Sequence, residues 1–284
     1  MQFADDTVSA LKQPAAILIG ILALILQTPD SAAQFPPFRT GLSDLNLTVS
    51  SPFSGTNTLQ SRIGYVSRRS TYNPAREVYR VIVPQNYTHA RTWGLFIWID
   101  MMDSPRFPRD WPSVLAQKGF VTVLLANAGN RRSSGDRIRM ALDARHHMPR
   151  LFNIDHSRII VSGWSGGARI ASVLGVAYGD QFPNCVPMMG CVFYEQIPLG
   201  RNRFFPVAYT PNAAIVNRAK NNRFIIVTSQ GDALGLECRL VYEHGFKANG
   251  FTDTRLVSVP TASSLPNGQW LGRILDNFLA SGAR

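Results

Sequence analysis

Gly163-Trp164-Ser165-Gly166-Gly167 places a hydroxyl where covalent chemistry is expected. The five residues follow Arg158-Ile159-Ile160-Val161-Ser162, a largely apolar, β-branched run, and lead into Ala168-Arg169-Ile170, the opening of a helical stretch. A strand that passes straight into Gly-x-Ser-x-Gly and then a helix must turn very tightly. Side chains two residues before and after the serine would collide there, which calls for glycine at 163 and 167. Ser165 then stands above the sheet at a helix N-terminus, where backbone N–H groups and the positive helix end favour a developing oxyanion. The matching chemistry is attack on a carbonyl carbon, with a base taking the hydroxyl proton. A glycine-rich strand-to-helix turn that only packs is the plainer alternative.

Positioning such a hydroxyl takes a sheet, and the surrounding sequence has the pattern of one. Val78 to Val83, Trp93 to Ile99, Phe120 to Leu125, Arg158 to Ser162, Val186 to Phe193, Phe224 to Thr228 and Arg255 to Val259 read as strands. Trp93 to Ile99 and Phe120 to Leu125 are continuous apolar runs, as strands covered on both faces should be. Helical stretches lie between them: Asp110 to Lys118, Ser134 to His147, Gly166 to Tyr178, Leu236 to Asn249 and Gln269 to Ala280. This alternation predicts an α/β fold: a doubly wound, mainly parallel sheet with helices on both faces. Ligands of such a sheet bind at the carboxyl ends of the strands. Residues 74–284 read as one domain. Residues 34–73, rich in Ser, Thr, Gly and Pro, read as a loop-like lead-in with room for one added strand.

From about Glu77 to Leu279 the chain resembles the α/β-hydrolase superfamily, near the esterase branch that includes polyhydroxybutyrate depolymerase-like and dienelactone hydrolase-like proteins. The likeness rests on Trp93–Ile99, Ala126-Asn127-Ala128-Gly129-Asn130-Arg131, Asp155-His156-Ser157-Arg158, the elbow itself, Phe224–Thr228 with Asp232, and Val259-Pro260 with Leu265-Pro266 and Trp270. The resemblance implies Ser165 as the nucleophile. It implies the Gly166 N–H as one oxyanion donor and a second from the backbone just after Trp93–Ile99, at Asp100 or Met101. It also implies Asp232 as the acid that holds an imidazole tautomer, although Gly231-Asp232 suits a helix N-cap or a turn as well.

After the last strand the relatives carry His-x-Leu-Pro. This chain reads Thr261-Ala262-Ser263-Ser264-Leu265-Pro266, so Ser263 stands where the catalytic histidine belongs. A neutral hydroxyl is no base at pH 7. His89 falls in an early turn, His146 and His147 on a helix, His156 in the turn that feeds into the elbow strand, at the opposite end of the sheet from Ser165, and His244 inside a later helix. None has a good claim on Ser165. Asn127, Asn130 and Arg131 follow a strand tip and, with Trp164, are candidates for substrate binding; a turn motif is the simpler alternative for the loop residues. The expectation is a serine-esterase-type fold, weakly active or degenerate, that takes a small-molecule ester or acyl ligand without a cofactor. The alternative is a non-catalytic binding protein on the same fold.

Composition narrows the rest. Among 284 residues, 45% are hydrophobic and 17% charged, which excludes a wholly disordered chain. The net charge of +11 comes from 29 basic and 18 acidic residues. The arginines are scattered from Arg39 to Arg284, with Arg68-Arg69 and Arg131-Arg132 the densest pairs, so a solvated surface is expected and nucleic-acid binding is not. The uncharged run Pro14 to Gln27 would reach roughly 21 Å as a helix, short of a ~30 Å hydrocarbon core. Ser31 and Ala33 suit a signal-peptidase cut before Gln34, so residues 1–33 read as the signal peptide of an exported protein, periplasmic or extracellular. An uncleaved membrane anchor or a buried helix is the alternative. Three cysteines give neither a disulfide framework nor zinc-ligand spacing. With Val186 to Phe193 extended, Cys185 and Cys191 would stand roughly 20 Å apart, too far to bridge. The adjacent His146-His147 pair diverges on a helix and makes a poor metal site.

Overall fold

The computed structural model describes residues 38–64, 70–231, 233–261 and 265–279. The expected signal peptide, and the positions Asp232 and Ser263, lie outside the described residues. The lead-in contributes β1 (Gly41–Asn46) and α1 (Thr56–Ile63) ahead of β2 (Val78–Val83). Next come β3 (Trp93–Ile99), α2 (Trp111–Gln117), β4 (Phe120–Leu125), α3 (Ser134–Leu151), β5 (Ile154–Trp164), α4 (Gly166–Ala177) and β6 (Asn184–Met188). The chain continues through β7 (Ile197–Gly200), β8 (Arg203–Phe205), α5 (Ala213–Ala219), β9 (Arg223–Ser229), α6 (Gly235–Leu240), a π-helical run Val241–Lys247, β10 (Asp253–Val259) and α7 (Gly268–Leu279).

Eight strands form one sheet in the order β1-β2-β4-β3-β5-β6-β9-β10. β4, β3, β5, β6, β9 and β10 run parallel, while β2 is antiparallel to β4 and β1 to β2. The four apolar runs expected in one sheet are all there, with β6 inserted between β5 and β9. Strand parity sorts the layers. Leu95, Ile97 and Ile99 join a core with Leu59, Ile138, Leu142, Ile170 and Leu174, drawn from α1, α3 and α4. Phe96 and Trp98 point the other way, into a second core with Trp111 and Leu115 of α2 and Leu271, Ile274 and Phe278 of α7. Both faces of the sheet are therefore covered, as the unbroken apolar strands require.

The lead-in differs most from the sequence reading, because it holds a helix as well as the added strand. Leu59 and Ile63, four apart, bury one face of α1. The flanking irregular backbone is satisfied by buried side chains of α3. Asp143 accepts the Ser51 N–H at 2.7 Å, the Ser54 hydroxyl at 2.6 Å, and the hydroxyls of Tyr72 and Tyr79. Asp136 accepts the Ser70 hydroxyl at 2.6 Å and the Thr71 N–H at 2.9 Å. Arg139 donates to Ser54 O, Thr56 Oγ1 and Asp136.

Further corrections concern later elements, beginning with β5, which starts at Ile154 rather than Arg158 and so carries His156 within it. β6 ends at Met188 rather than Phe193, because Met189 takes a left-handed φ of 52° and turns its N–H to Val227 O. The β7–β8 hairpin and α5 carry no strong sequence signal. The helix expected from Leu236 to Asn249 is α-helical only as far as Leu240 and then widens into the π-helical run. No helix among the described residues is long and apolar enough to cross a membrane.

Candidate active site

The winding of the sheet reverses at β3, whose neighbours β4 and β5 lie on opposite sides of it. Such a switch point opens a crevice at the carboxyl ends of the strands. Ser165 stands there, between the last residue of β5 and the first of α4. Its backbone is held at φ 52°, ψ −113°, an uncommon and strained conformation for a residue with a Cβ. The Ser165 N–H donates to Met188 O at 3.0 Å, and its carbonyl accepts from the Arg169 N–H at 3.1 Å.

The glycines around it answer to backbone packing. A Cβ on Gly163 would lie 2.5 Å from the Ile99 carbonyl oxygen and 2.6 Å from the carbonyl carbon of Gly167. A Cβ on Gly167 would overlap the same Ile99 oxygen. The spacing thus encodes contact between the ends of β3 and β5 and the start of α4. Gly166 has its own reason, absent from the sequence reading: the Asn130 side-chain amide fills the space a Cβ would need. The first N–H groups of α4 have no intrahelical acceptor and remain as donors.

The loop after β3 is held firmly. The Asp100 carboxylate is buried and accepts from the Met102 N–H at 2.9 Å, the Arg106 N–H at 2.8 Å and the Trp98 indole N–H at 3.3 Å. Asp100 therefore presents backbone, not its acid, to the elbow. Met101 O accepts the Asn130 N–H at 2.9 Å, stitching this loop to the one after β4. Asp100, Met101, Asn130 and Gly166 are brought together around Ser165.

The remaining candidates are placed elsewhere. Asn127, itself at φ 55°, and Arg131 line a polar cleft of about 410 Å³ with Thr71, Glu77 and Asp103. The Arg131 guanidinium sits 2.8 Å from Asp103 and holds that carboxyl below the usual range. Ser165 is not among the cleft's walls. Trp164 packs against the core on the α2 and α7 side.

Two residues that sequence reasoning did not single out lie beside the elbow. Arg169, one turn into α4, meets Glu237 of α6 through two hydrogen bonds of 3.1 and 2.7 Å. Arg169 also borders two mainly apolar clefts, of about 490 and 160 Å³, whose walls include Ile170, Val173, Val192 and Phe193. No motif announces an Arg–Glu pair 68 residues apart.

The imidazoles are engaged or placed elsewhere. His89 Nδ1 lies 2.9 Å from the Tyr87 hydroxyl, His147 Nε2 lies 2.6 Å from Val49 O, and His156 neighbours Arg145. His146 is on α3 and His244 is exposed on the π-helical run. Cys185, Cys191 and Cys238 are all buried, and none of them is in a disulfide. Among the described residues no group of His, Cys, Asp or Glu is arranged to hold a metal ion.

No family model and no curated protein sequence matches this chain. Solved structures do. The fluorophosphonate-binding serine hydrolase F of Staphylococcus aureus is similar over 85% of this chain and 99% of its own, at 12% identity and a TM-score of 0.56. Thermogutta terrifontis esterase 2, phosphonylated by sarin, is similar over 77% of this chain and 95% of its own, at 14% identity and a TM-score of 0.54. Porphyromonas gingivalis dipeptidyl peptidase 4 is similar over 72% of this chain at 16% identity and a TM-score of 0.52, and the match spans 33% of that protein. The sheet order, the strand–elbow–helix geometry and these likenesses define the fold: it is an α/β-hydrolase fold.

Proposed function

We propose that the chain is a serine-esterase-type hydrolase for a small-molecule ester or acyl compound, with Ser165 as nucleophile and Asp232 as acid, and that its turnover is weak because Ser263 replaces the base. The observation that carries this reading is the strained backbone of Ser165 above the open end of α4. A turn that only packs gains nothing from forcing a non-glycine residue to φ 52°. In the reaction, Ser165 Oγ bonds to the carbonyl carbon and its proton must leave. The carbonyl oxygen takes the electron pair and is met by the Gly166 N–H and a second N–H after β3. With no imidazole, water takes the Ser165 proton and protonates the leaving oxygen as the tetrahedral intermediate collapses and expels the alcohol; a second water then hydrolyses the Ser165 acyl ester and frees the acid. In subtilisin, losing the catalytic histidine costs on the order of 10⁶ in rate and leaves about 10³–10⁴ over water.

A non-catalytic binding protein is the second reading, favoured by Ser263 alone. Hydrolysis of a short-acyl p-nitrophenyl ester, with fluorophosphonate labelling, separates the two. The hydrolase reading expects slow turnover that Ser165→Ala abolishes and Ser263→His raises. Equal rates for wild type and Ser165→Ala, with no gain in Ser263→His, would establish the binding protein. Rapid wild-type labelling would refute weak turnover and reveal another base. Residues 1–33 are proposed as an export signal, tested by finding Gln34 at the N-terminus of the exported chain.

A further inference from the structure

The structure assigns Arg137 as a positioning residue of the elbow: it sets the Asp100–Met101 peptide so that the Met101 N–H, and not that of Asp100, is the second oxyanion donor. The peptide orientation rests on geometry alone; its chemical consequence rests on the hydrolase reading. Arg137 comes from the first turn of α3 and is buried. Its Nη2 donates to the Asp100 carbonyl at 2.9 Å and its Nη1 to Asn130 Oδ1 at 3.4 Å. The carbonyl and N–H of one trans peptide point in opposite directions. Fixing Asp100 O toward α3 therefore turns the Met101 N–H away from α3. That peptide's carbonyl carbon stands 3.2 Å from where a Cβ on Gly167 would be, so the peptide lies directly against the elbow. Among the described residues no acceptor is seated on the Met101 N–H.

The choice of partners is informative. Arg132 and Arg139, on or just before the same helix, pair with the carboxylates of Glu77 and Asp136. Arg137 instead spends both Nη groups on neutral oxygens of the two loops that frame Ser165. Burying a cation for two amide oxygens is costly, and a salt-bridge role does not explain it. Burial pulls the guanidinium down to about 10, with Asp100 and Asp103 working against that shift, so it stays cationic at neutral pH. A positive charge behind the carbonyl end of the peptide aligns its dipole, N–H end outward, before charge develops on the substrate. The second, longer contact reaches the Asn130 amide, which lies over Gly166, the other donor.

The test compares wild type, Arg137→Lys and Arg137→Met by ester hydrolysis, thermal melting and crystallography, with a phosphonate-treated wild-type crystal alongside. Lysine keeps the charge but loses the fork. The expected result is a kcat lower by about 10- to 100-fold with KM within about twofold, and an Asp100–Met101 peptide rotated in Arg137→Met. In the phosphonylated wild type, the phosphonyl oxygen should contact both Gly166 N and Met101 N, a reading that needs no variant to fold. Contact with Asp100 N instead, an unrotated peptide in Arg137→Met, or variants with wild-type kcat would each overturn the assignment. If the wild type hydrolyses no ester, the hydrolase reading falls separately, and the peptide in Arg137→Met still decides the positioning claim.

Discussion

Gly167 and the Ile99 carbonyl oxygen meet so closely that no Cβ fits between them, so α4 starts in backbone contact with the last peptide of β3. Gly167→Ala should destabilise by about 1–3 kcal/mol or more, since main chain must move. At Gly166 the added methyl meets the Asn130 amide, the tip of an exposed side chain that can swing away. Gly166→Ala should therefore stay within about 1 kcal/mol of wild type. Urea denaturation of both variants checks this; equal losses would contradict the packing argument.

Acid should loosen the chain through its paired carboxylates. Burial works to raise Asp136, but the Ser70 hydroxyl, the Thr71 N–H and Arg132 outweigh it and hold the carboxyl below its usual range. Asp180 is also lowered, its burial outweighed by the Arg62 guanidinium. A folded pKa below the unfolded value of ~3.9 gives stability that is complete above that value and lost as pH falls through the folded one. Melting temperature should drop below about pH 4, and Asp136→Asn should flatten that acid limb. An identical pH profile in the variant would count against Asp136.

All three thiols should be silent in the native protein. The Ser172 hydroxyl donates to Cys191 Sγ at 3.3 Å, Cys185 Sγ donates to Ala171 O at 3.2 Å, and burial pushes both thiols far above the usual range. A thiol-reactive dye should titrate none in the folded state and three after denaturation, and reductant should leave the melting temperature unchanged. A reductant-sensitive melt would mean a disulfide exists.

The Arg169–Glu237 pair should contribute little to stability despite its two-pronged geometry. Arg169 keeps 42% of its side chain exposed, so water screens the charge, and the coupling should be about 0.5–1 kcal/mol. A double-mutant cycle with Arg169→Met and Glu237→Gln measures it directly. A coupling above about 2 kcal/mol would show a more desolvated pair than the geometry describes.

The elbow was legible in the sequence because its spacing records a backbone contact, and backbone contacts leave glycines at fixed positions. The parallel core was legible because strands buried on both faces must be apolar throughout, as Trp93–Ile99 is. Other features left no such trace. α1 is eight residues with only Leu59 and Ile63 buried, too short for a periodic signal. The β7–β8 turn places Arg201 and Asn202 at φ 50° and 57°, and its glycine, Gly200, stands one residue ahead of the position that usually advertises such a turn. Arg137 was one arginine among 25, and its meaning lies in which carbonyl it reaches. Ser263 could be read as a departure only through the resemblance, which implies a histidine at that position.

The polar seat of the lead-in also imposes an order in time. Ser51 and Ser54 find Asp143 only 92 and 89 residues later in the chain, and Ser70 finds Asp136 66 residues later. During synthesis from the N-terminus, at about 5–20 residues per second, the lead-in waits roughly 5–20 seconds for those carboxylates. Over that interval Leu59 and Ile63 have no α3 or α4 to cover them. The lead-in is thus the first part of the described chain to be made, yet it cannot dock until α3 and α4 have followed it, a window in which a holding chaperone would find its footing.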